Sequence, residues 1–238
     1  MMYDFLKDPD TETIRKLCLK LIGAEIRFNY ELKLNDNNIH NNLINNCNII
    51  GDCMENILIP YLQKNIKTIE RGPKQKSPDF WNRNRNYEWE LKTFKEKPGF
   101  DVSNYSSYIN QLNQKGGVKR KLFRTQYLIF KYAFCGNYVK ILDFKLCNIW
   151  NLLLYTGKYP ISIQNKRGMW YNIRPCSYSD IDKKEKNPNL LITKLIKSIK
   201  ECPNNINEKN KIIFNINKQF YEIIYNNCLN KIKQLNIK

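Results

Sequence analysis

Residues Ser77 to Phe94 read SPDFWNRNRNYEWELKTF. Phe80-Trp81 and Tyr87 to Phe94 are short aromatic and apolar runs, and the NRNRN between them has the composition of a turn. The stretch predicts a β-hairpin. Alternate side chains of a strand leave opposite faces. Trp89 and Leu91 then pack inward, while Glu88, Glu90 and Lys92 leave together on the other face, close to whatever Asp79 presents from the preceding strand. Carboxylates gathered this way repel one another and cost stability. A hard divalent cation such as Mg²⁺ seeks carboxylate oxygens and removes that cost. A lysine beside it can position or deprotonate a water when its neighbours tune its charge. Such a group of residues suits phosphodiester hydrolysis. The bland alternative makes Glu88, Glu90 and Lys92 the wet face of an edge strand.

Turn length decides which acid meets Asp79. A four-residue NRNR turn sets Asp79 opposite Glu88, with Glu90 diagonal to it. A five-residue NRNRN turn sends Asp79 to the wrong side unless a bulge corrects the register. Both registers leave open whether Glu88 shares or replaces the role of Glu90.

Outward from the hairpin, helical periodicity covers Thr11 to Ile26 and Gly51 to Ile66, the second interrupted or kinked near Pro60. The Asn-rich segment from Asn35 to Asn48 between them reads as a loop. After the hairpin, FDVSNYSSYINQLNQ predicts a helix capped by Asp101, Ser103 or Asn104. NQKGGVKRK reads as a loop. Thr125 to Phe134 and Tyr138 to Leu146 read as paired strands around Cys135-Gly136-Asn137. A short helix over Asn148 to Tyr155 and a partly extended stretch from Tyr159 to Arg174 follow. The chain is helical in pattern from Asn189 onwards, including NINKQFYEIIYNNCLNKIKQL at 215–235. This order predicts an α/β (α+β) fold with a central mixed sheet flanked by helices.

Lys and Arg total 40 against 22 Asp and Glu, a formal charge of +18. That excess repels itself in a compact state unless an anionic partner, most commonly nucleic acid, offsets it. The 42% hydrophobic content is enough for a sizeable core and excludes disorder of the whole chain. The eight cysteines include no C-x-x-C pair, and His40 is the only histidine, so a zinc site and histidine-based catalysis have little support. With no signal peptide recognised, the expected setting is a reducing cytoplasm with free thiols. No apolar run approaches the length of a membrane span.

Pro78-Asp79, followed after ten residues by Glu90-Leu91-Lys92, resembles the motif of the PD-(D/E)XK nuclease superfamily, to which many type II restriction endonucleases belong. The resemblance covers roughly residues 50 to 175. It implies a restriction-endonuclease-like fold in which Asp79 and Glu90 hold Mg²⁺, or Mn²⁺ as a substitute, and Lys92 assists the attacking water. Glu90 is preferred to Glu88 because it stands two before Lys92, as the motif requires. Glu55 matches an acidic residue that the family often adds from an upstream helix.

The reading that follows is one nuclease domain over 1–238, with an N-terminal helical part at 1–50, a catalytic core at 51–175 and a helical C-terminal part at 176–238. The expected activity is Mg²⁺-dependent cleavage of double-stranded DNA at a short specific sequence. A homodimer is expected to supply two sites, and a DNA methyltransferase is expected as a functional counterpart outside any complex. A repair or recombination nuclease of the same fold and a non-catalytic nucleic-acid-binding protein are the competitors. Lys115, Lys119, Arg120, Lys121 and Arg124, around Gly116-Gly117, are candidates for phosphate contacts. Gln164, Asn165, Lys166, Arg167 and Arg174 carry the side-chain types that read base edges.

Overall fold

The computed structural model describes residues 9–27, 47–74, 76–95, 100–114, 117, 119–136, 138–155, 158–166, 169–183, 186–201 and 226. Its elements divide between two units, each described by itself.

The first unit is built on a sheet. Its elements are α1 (Pro9–Leu19), β1 (Glu25–Arg27), α2 (Cys47–Asn65), β2 (Ile69–Arg71), β3 (Phe80–Asn82), β4 (Glu88–Phe94) and, of strands that begin or end in the second unit, most of β6 (Thr125–Cys135) and β7 (Tyr138–Asn148). The strand order is β1-β7-β6-β4-β3-β2. Thus β4 has a neighbour on each side and is no edge strand. Glu88 and Glu90 are 3% and 7% exposed, so the wet-edge alternative fails. Alternation along β4 is as the sequence pattern requires. Trp89 and Leu91 join Ile14 and Cys18 of α1, Met54, Leu58 and Leu62 of α2, and Leu128, Phe130, Val139 and Ile141 of the neighbouring strands in one buried core. The Trp89 ring stacks on Phe80 with centroids 5.3 Å apart.

Two helix boundaries differ from expectation. The first helix stops at Leu19, because Gly23 adopts a left-handed φ of 89° and its N–H donates to Ile141 O at 2.8 Å. That contact draws Glu25–Arg27 into pairing with β7. The second helix starts earlier, at Cys47, and runs unbroken past Pro60. Pro60 is exposed, so water can serve the carbonyl that its missing N–H leaves without a donor. The Asn-rich loop lies, up to Asn46, outside the described residues, and so does the 215–235 helix apart from Asn226.

The second unit holds β5 (Ser103–Asn104), α3 (Tyr105–Asn113), α4 (Ile149–Leu152), β8 (Ile163–Lys166), β9 (Met169–Ile173) and α5 (Pro188–Glu201), with the start of β6 and the end of β7. Its sheet has the order β5-β9-β8. Asn104 is the cap of α3, its side chain accepting from Ser107 N–H at 3.1 Å. Lys119–Arg124 is a π-helical turn where a loop was expected. The buried Tyr105 hydroxyl meets Ser198 Oγ at 3.1 Å and so ties α3 to α5. Trp170 is wedged edge-on between Tyr105 and Tyr159. Among the described residues no helix is long and apolar enough to cross a membrane.

The core role of Trp89 has a measurable consequence. It is wholly buried, and Trp89→Ala is expected to destabilise the protein by about 3–5 kcal/mol. Chemical denaturation followed by circular dichroism measures it, and an unchanged midpoint would remove Trp89 from the core.

Candidate active site

The hairpin closes in a register that neither turn length predicted. Trp81 pairs with Glu88 and Phe80 with Trp89. Asn82 N–H donates to Tyr87 O at 3.2 Å, leaving Arg83 to Asn86 as the turn. The buried Asn82 side chain accepts from Tyr87 N–H at 3.1 Å and so replaces a backbone partner at the turn. Glu88 therefore faces Trp81, and Asp79 is not opposite Glu88.

Regular pairing ends at Phe80. The Asp79 N–H donates to Trp89 O at 3.1 Å. Its carboxylate oxygen Oδ2 accepts from Leu91 N–H at 2.6 Å. The carboxylate thus takes a rung of the ladder and lies against the backbone between Glu90 and Lys92. Glu90 Oε2 is 3.5 Å from Lys92 Nζ. Glu55, half-buried on α2, is close enough for Asp79, Lys92 and Glu90 to act on it electrostatically. The structure therefore gathers Asp79, Glu90, Lys92 and Glu55.

The electrostatics follow from three acids sharing one lysine. Burial, with the charge of Glu90 added, pushes the Asp79 carboxyl up to about 7 against the opposing pull of Lys92 and the Leu91 N–H. Burial, weakened by Lys92, also raises Glu55. For Lys92 burial acts downward, but Glu90 and Asp79 more than reverse it, so its ammonium is held above the usual range. A group of this charge has the chemistry to accept a cation. Among the described residues no three acidic, His or Cys side chains form a ready-made metal cage. Mg²⁺ needs none: it takes one or two protein carboxylates and completes its shell with water and phosphate. Asp79 and Glu90 supply that number of hard oxygen donors.

Gly72 seats the whole arrangement and went unnoticed in the sequence. Its N–H donates to Asp79 O at 2.7 Å. A Cβ there would stand 2.0 Å from Pro78 O and 2.9 Å from Asp79 O, both backbone atoms. Only glycine lets the Pro78-Asp79 backbone come so close. The signal was faint, because β2 is three residues long and no periodicity precedes Gly72.

The expected nucleic-acid contacts belong to the second unit. Arg120 and Arg124 are half-buried on the π-helical turn, while Lys121 is 4% exposed and does not offer its ammonium at the surface as expected. Lys115 and Arg167 lie outside the described residues, as does the Lys119 side chain. On β8, Gln164 is half-buried and Asn165 and Lys166 are exposed. Asn165 donates to the Tyr159 hydroxyl at 3.0 Å, and the Lys166 ammonium sits 4.6 Å from the Tyr171 ring centre. Arg174 is ion-paired with Asp101, which also accepts from Asn172.

Known proteins share this architecture. The family model of the NgoBV restriction endonuclease matches residues 12–234. The type II restriction enzyme NlaIV of Neisseria lactamica is 29% identical over an alignment of 143 residues that covers 57% of this chain and 57% of the length of that enzyme. A solved structure of the NlaIV restriction endonuclease superposes with a TM-score of 0.70 at 22% identity, covering 94% of this chain and 89% of that one. That superposition speaks to the fold.

Two measurements check the site. The Asp79 carboxyl keeps its proton to a higher pH in the folded chain than in the unfolded one, so it destabilises the metal-free fold progressively as pH rises from about 4 to about 7. Asp79→Asn removes that penalty and keeps an acceptor for Leu91 N–H. In EDTA its advantage over wild type is expected to grow by about 1–3 kcal/mol between pH 5 and pH 8. A constant difference in the thermal midpoint across that range would refute the titration. Gly72→Ala forces the Pro78-Asp79 backbone to move. It is expected to lower stability by about 1–3 kcal/mol, measured by chemical denaturation, and an unchanged midpoint would show that the close approach is not required.

Proposed function

The chain belongs to the NgoBV restriction endonuclease family, and we propose that it is a Mg²⁺-dependent type II restriction endonuclease that hydrolyses phosphodiester bonds of double-stranded DNA at a short specific sequence. One observation carries the proposal: Asp79, Glu90 and Lys92 converge where the hairpin ladder breaks, next to Glu55. Asp79 and Glu90 are the cation ligands in this reading, and Glu55 is a third acid able to engage the cation directly or through water. The bound cation supplies a Lewis acid and lowers the pKa of its water.

The remaining work falls to the chain. Asp79 is held by Leu91 N–H at one oxygen, so the other has a fixed direction. Lys92, kept as an ammonium beside Glu90 and Asp79, donates to water or to a phosphate oxygen and steadies the negative charge that builds there. Asp79 and Lys92 are half-buried beside the buried Glu90, which strengthens both effects, because water competes less. Mn²⁺, also a hard ion, is the expected substitute.

Arg120, Arg124, Gln164, Asn165 and Lys166 are proposed DNA contacts, in line with the +18 charge of the chain. Two-fold related copies of the chain would give the two sites that a double-strand cut requires. A cell carrying the activity needs a methyltransferase of the same specificity to protect its own DNA. Cys18, Cys53, Cys135 and Cys176 are thiols, which fits a reducing cytoplasm.

Plasmid DNA incubated with and without Mg²⁺ tests the reading. The wild-type protein is expected to cut into discrete fragments only with Mg²⁺. Asp79→Ala and Lys92→Ala are each expected to lose at least about 100-fold in rate, while gel shifts with duplex DNA stay within a few-fold of wild type. Normal cutting by either variant would remove that residue from the site, and binding without any Mg²⁺-dependent strand loss would leave a non-catalytic DNA-binding protein.

A further inference from the structure

The β3–β4 turn carries a feature that the hydrolytic site does not require. Arg85 has a φ of 52°, in the left-handed region that glycine and asparagine accept and bulky side chains avoid. Asn84 and Asn86 flank it, yet an arginine holds the strained position. Hydrogen bonds lock the backbone there: Arg85 N–H donates to Asn82 O at 2.7 Å, and Asn86 N–H to Asn84 Oδ1 at 3.0 Å. The conformation brings the guanidinium to 4.1 Å from the centre of the Trp81 ring. Trp81 is itself fixed, its indole N–H donating to Glu70 Oε2 at 3.0 Å. The other oxygen of Glu70 is 3.6 Å from Arg83 Nε. Both arginines are exposed at the surface.

The cluster shares a face with the candidate active site. Glu70, Trp81 and Glu88 form one row across β2, β3 and β4. Glu90 lies one row further along the same face of β4, about 7 Å away, and Lys92 lies beyond it. Strained backbone that the surroundings hold in place is found preferentially where function needs it. Stacking engages the flat face of a guanidinium, and its N–H rim matches two oxygens of a phosphate. A polynucleotide strand laid on Glu90 and Lys92 carries further phosphates to either side, one of them toward this row. The charge types therefore fit a phosphodiester backbone, and they carry no base information.

Resting on the endonuclease reading above, we infer that Arg85, stacked on Trp81 and accompanied by Arg83, binds a DNA backbone phosphate flanking the one that is cleaved. The contact sets the register of the strand over Glu90 and Lys92 and is independent of sequence.

Arg85→Gly tests this, because glycine accepts the backbone conformation and removes only the side chain. Mixed-sequence duplex DNA in EDTA is the probe, with the dissociation constant measured over a salt series. The expected result is about tenfold weaker binding at low salt and a log–log salt slope smaller by about one, with a thermal midpoint within about two degrees of wild type. Arg85→Asn, also compatible with this φ, replaces the glycine variant if that one is less stable, and the same two changes are expected of it. Unchanged affinity and slope in a folded variant would overturn the inference. The wild-type protein with Mg²⁺ is run alongside. Plasmid cutting by wild type together with unchanged binding by the variant defeats the Arg85 contact alone, whereas no cutting by wild type defeats the endonuclease reading.

Discussion

A carboxylate that stands in for a backbone carbonyl organises this protein. Asp79 Oδ2 takes the N–H of Leu91, and the Asp79 carbonyl turns aside to take that of Gly72. The β3–β4 ladder is regular up to Phe80 and Trp89 and ends there. A strand pair that continued unbroken would have spent the Leu91 N–H on a carbonyl and left Asp79 to rotate. Because the side chain is part of the ladder, its position is as firm as that of the sheet. Glu90 and Lys92 gain the same firmness from alternation along β4, a strand with neighbours on both sides.

That firmness has a thermodynamic cost, which the core offsets. Three carboxylates and one lysine in a largely buried place are poorly matched in charge, and Asp79 shows it by holding its proton to about pH 7. The same sheet carries Trp89 and Leu91 on its other face, packed with the two helices and with residues of β2, β3, β6 and β7. A strained polar face against a well-filled apolar one is a common division of labour at functional sites. Gly72 belongs to the same logic. Its missing side chain is what allows the approach of two backbones, and any methyl group there would be in direct conflict with Pro78 O.

The charge excess of the chain is spread unevenly over roles. Some cations that look alike in sequence do different work once folded. Arg174 is held by Asp101, and Lys121 is buried, whereas Lys166 and Asn165 remain exposed on β8. Arg85 is held over an indole at the cost of an unfavourable backbone angle. Only the exposed members of a basic sequence cluster can meet phosphates, and composition cannot separate them.

Much was legible in the residues themselves. Period-two alternation in EWELKTF determined that Trp89 and Leu91 go one way and Glu88, Glu90 and Lys92 the other, since that is a property of any extended chain. The strands of β6 and β7 and the capped helix after Asn104 were likewise local in origin. Register was not, because it depends on where a turn closes, and Asn82 closed it with its own side chain one residue later than the turn composition suggested. Nor was the end of the first helix, which Ile141, far along the chain, captured through Gly23. Gly72 against Asp79, and Glu70 beneath Trp81, join a strand too short to have a pattern to its neighbours. Local chemistry determined which side chains share a face. Only the tertiary structure decided which of them meet, because meeting depends on hydrogen bonds and close approaches between residues that the sequence sets apart.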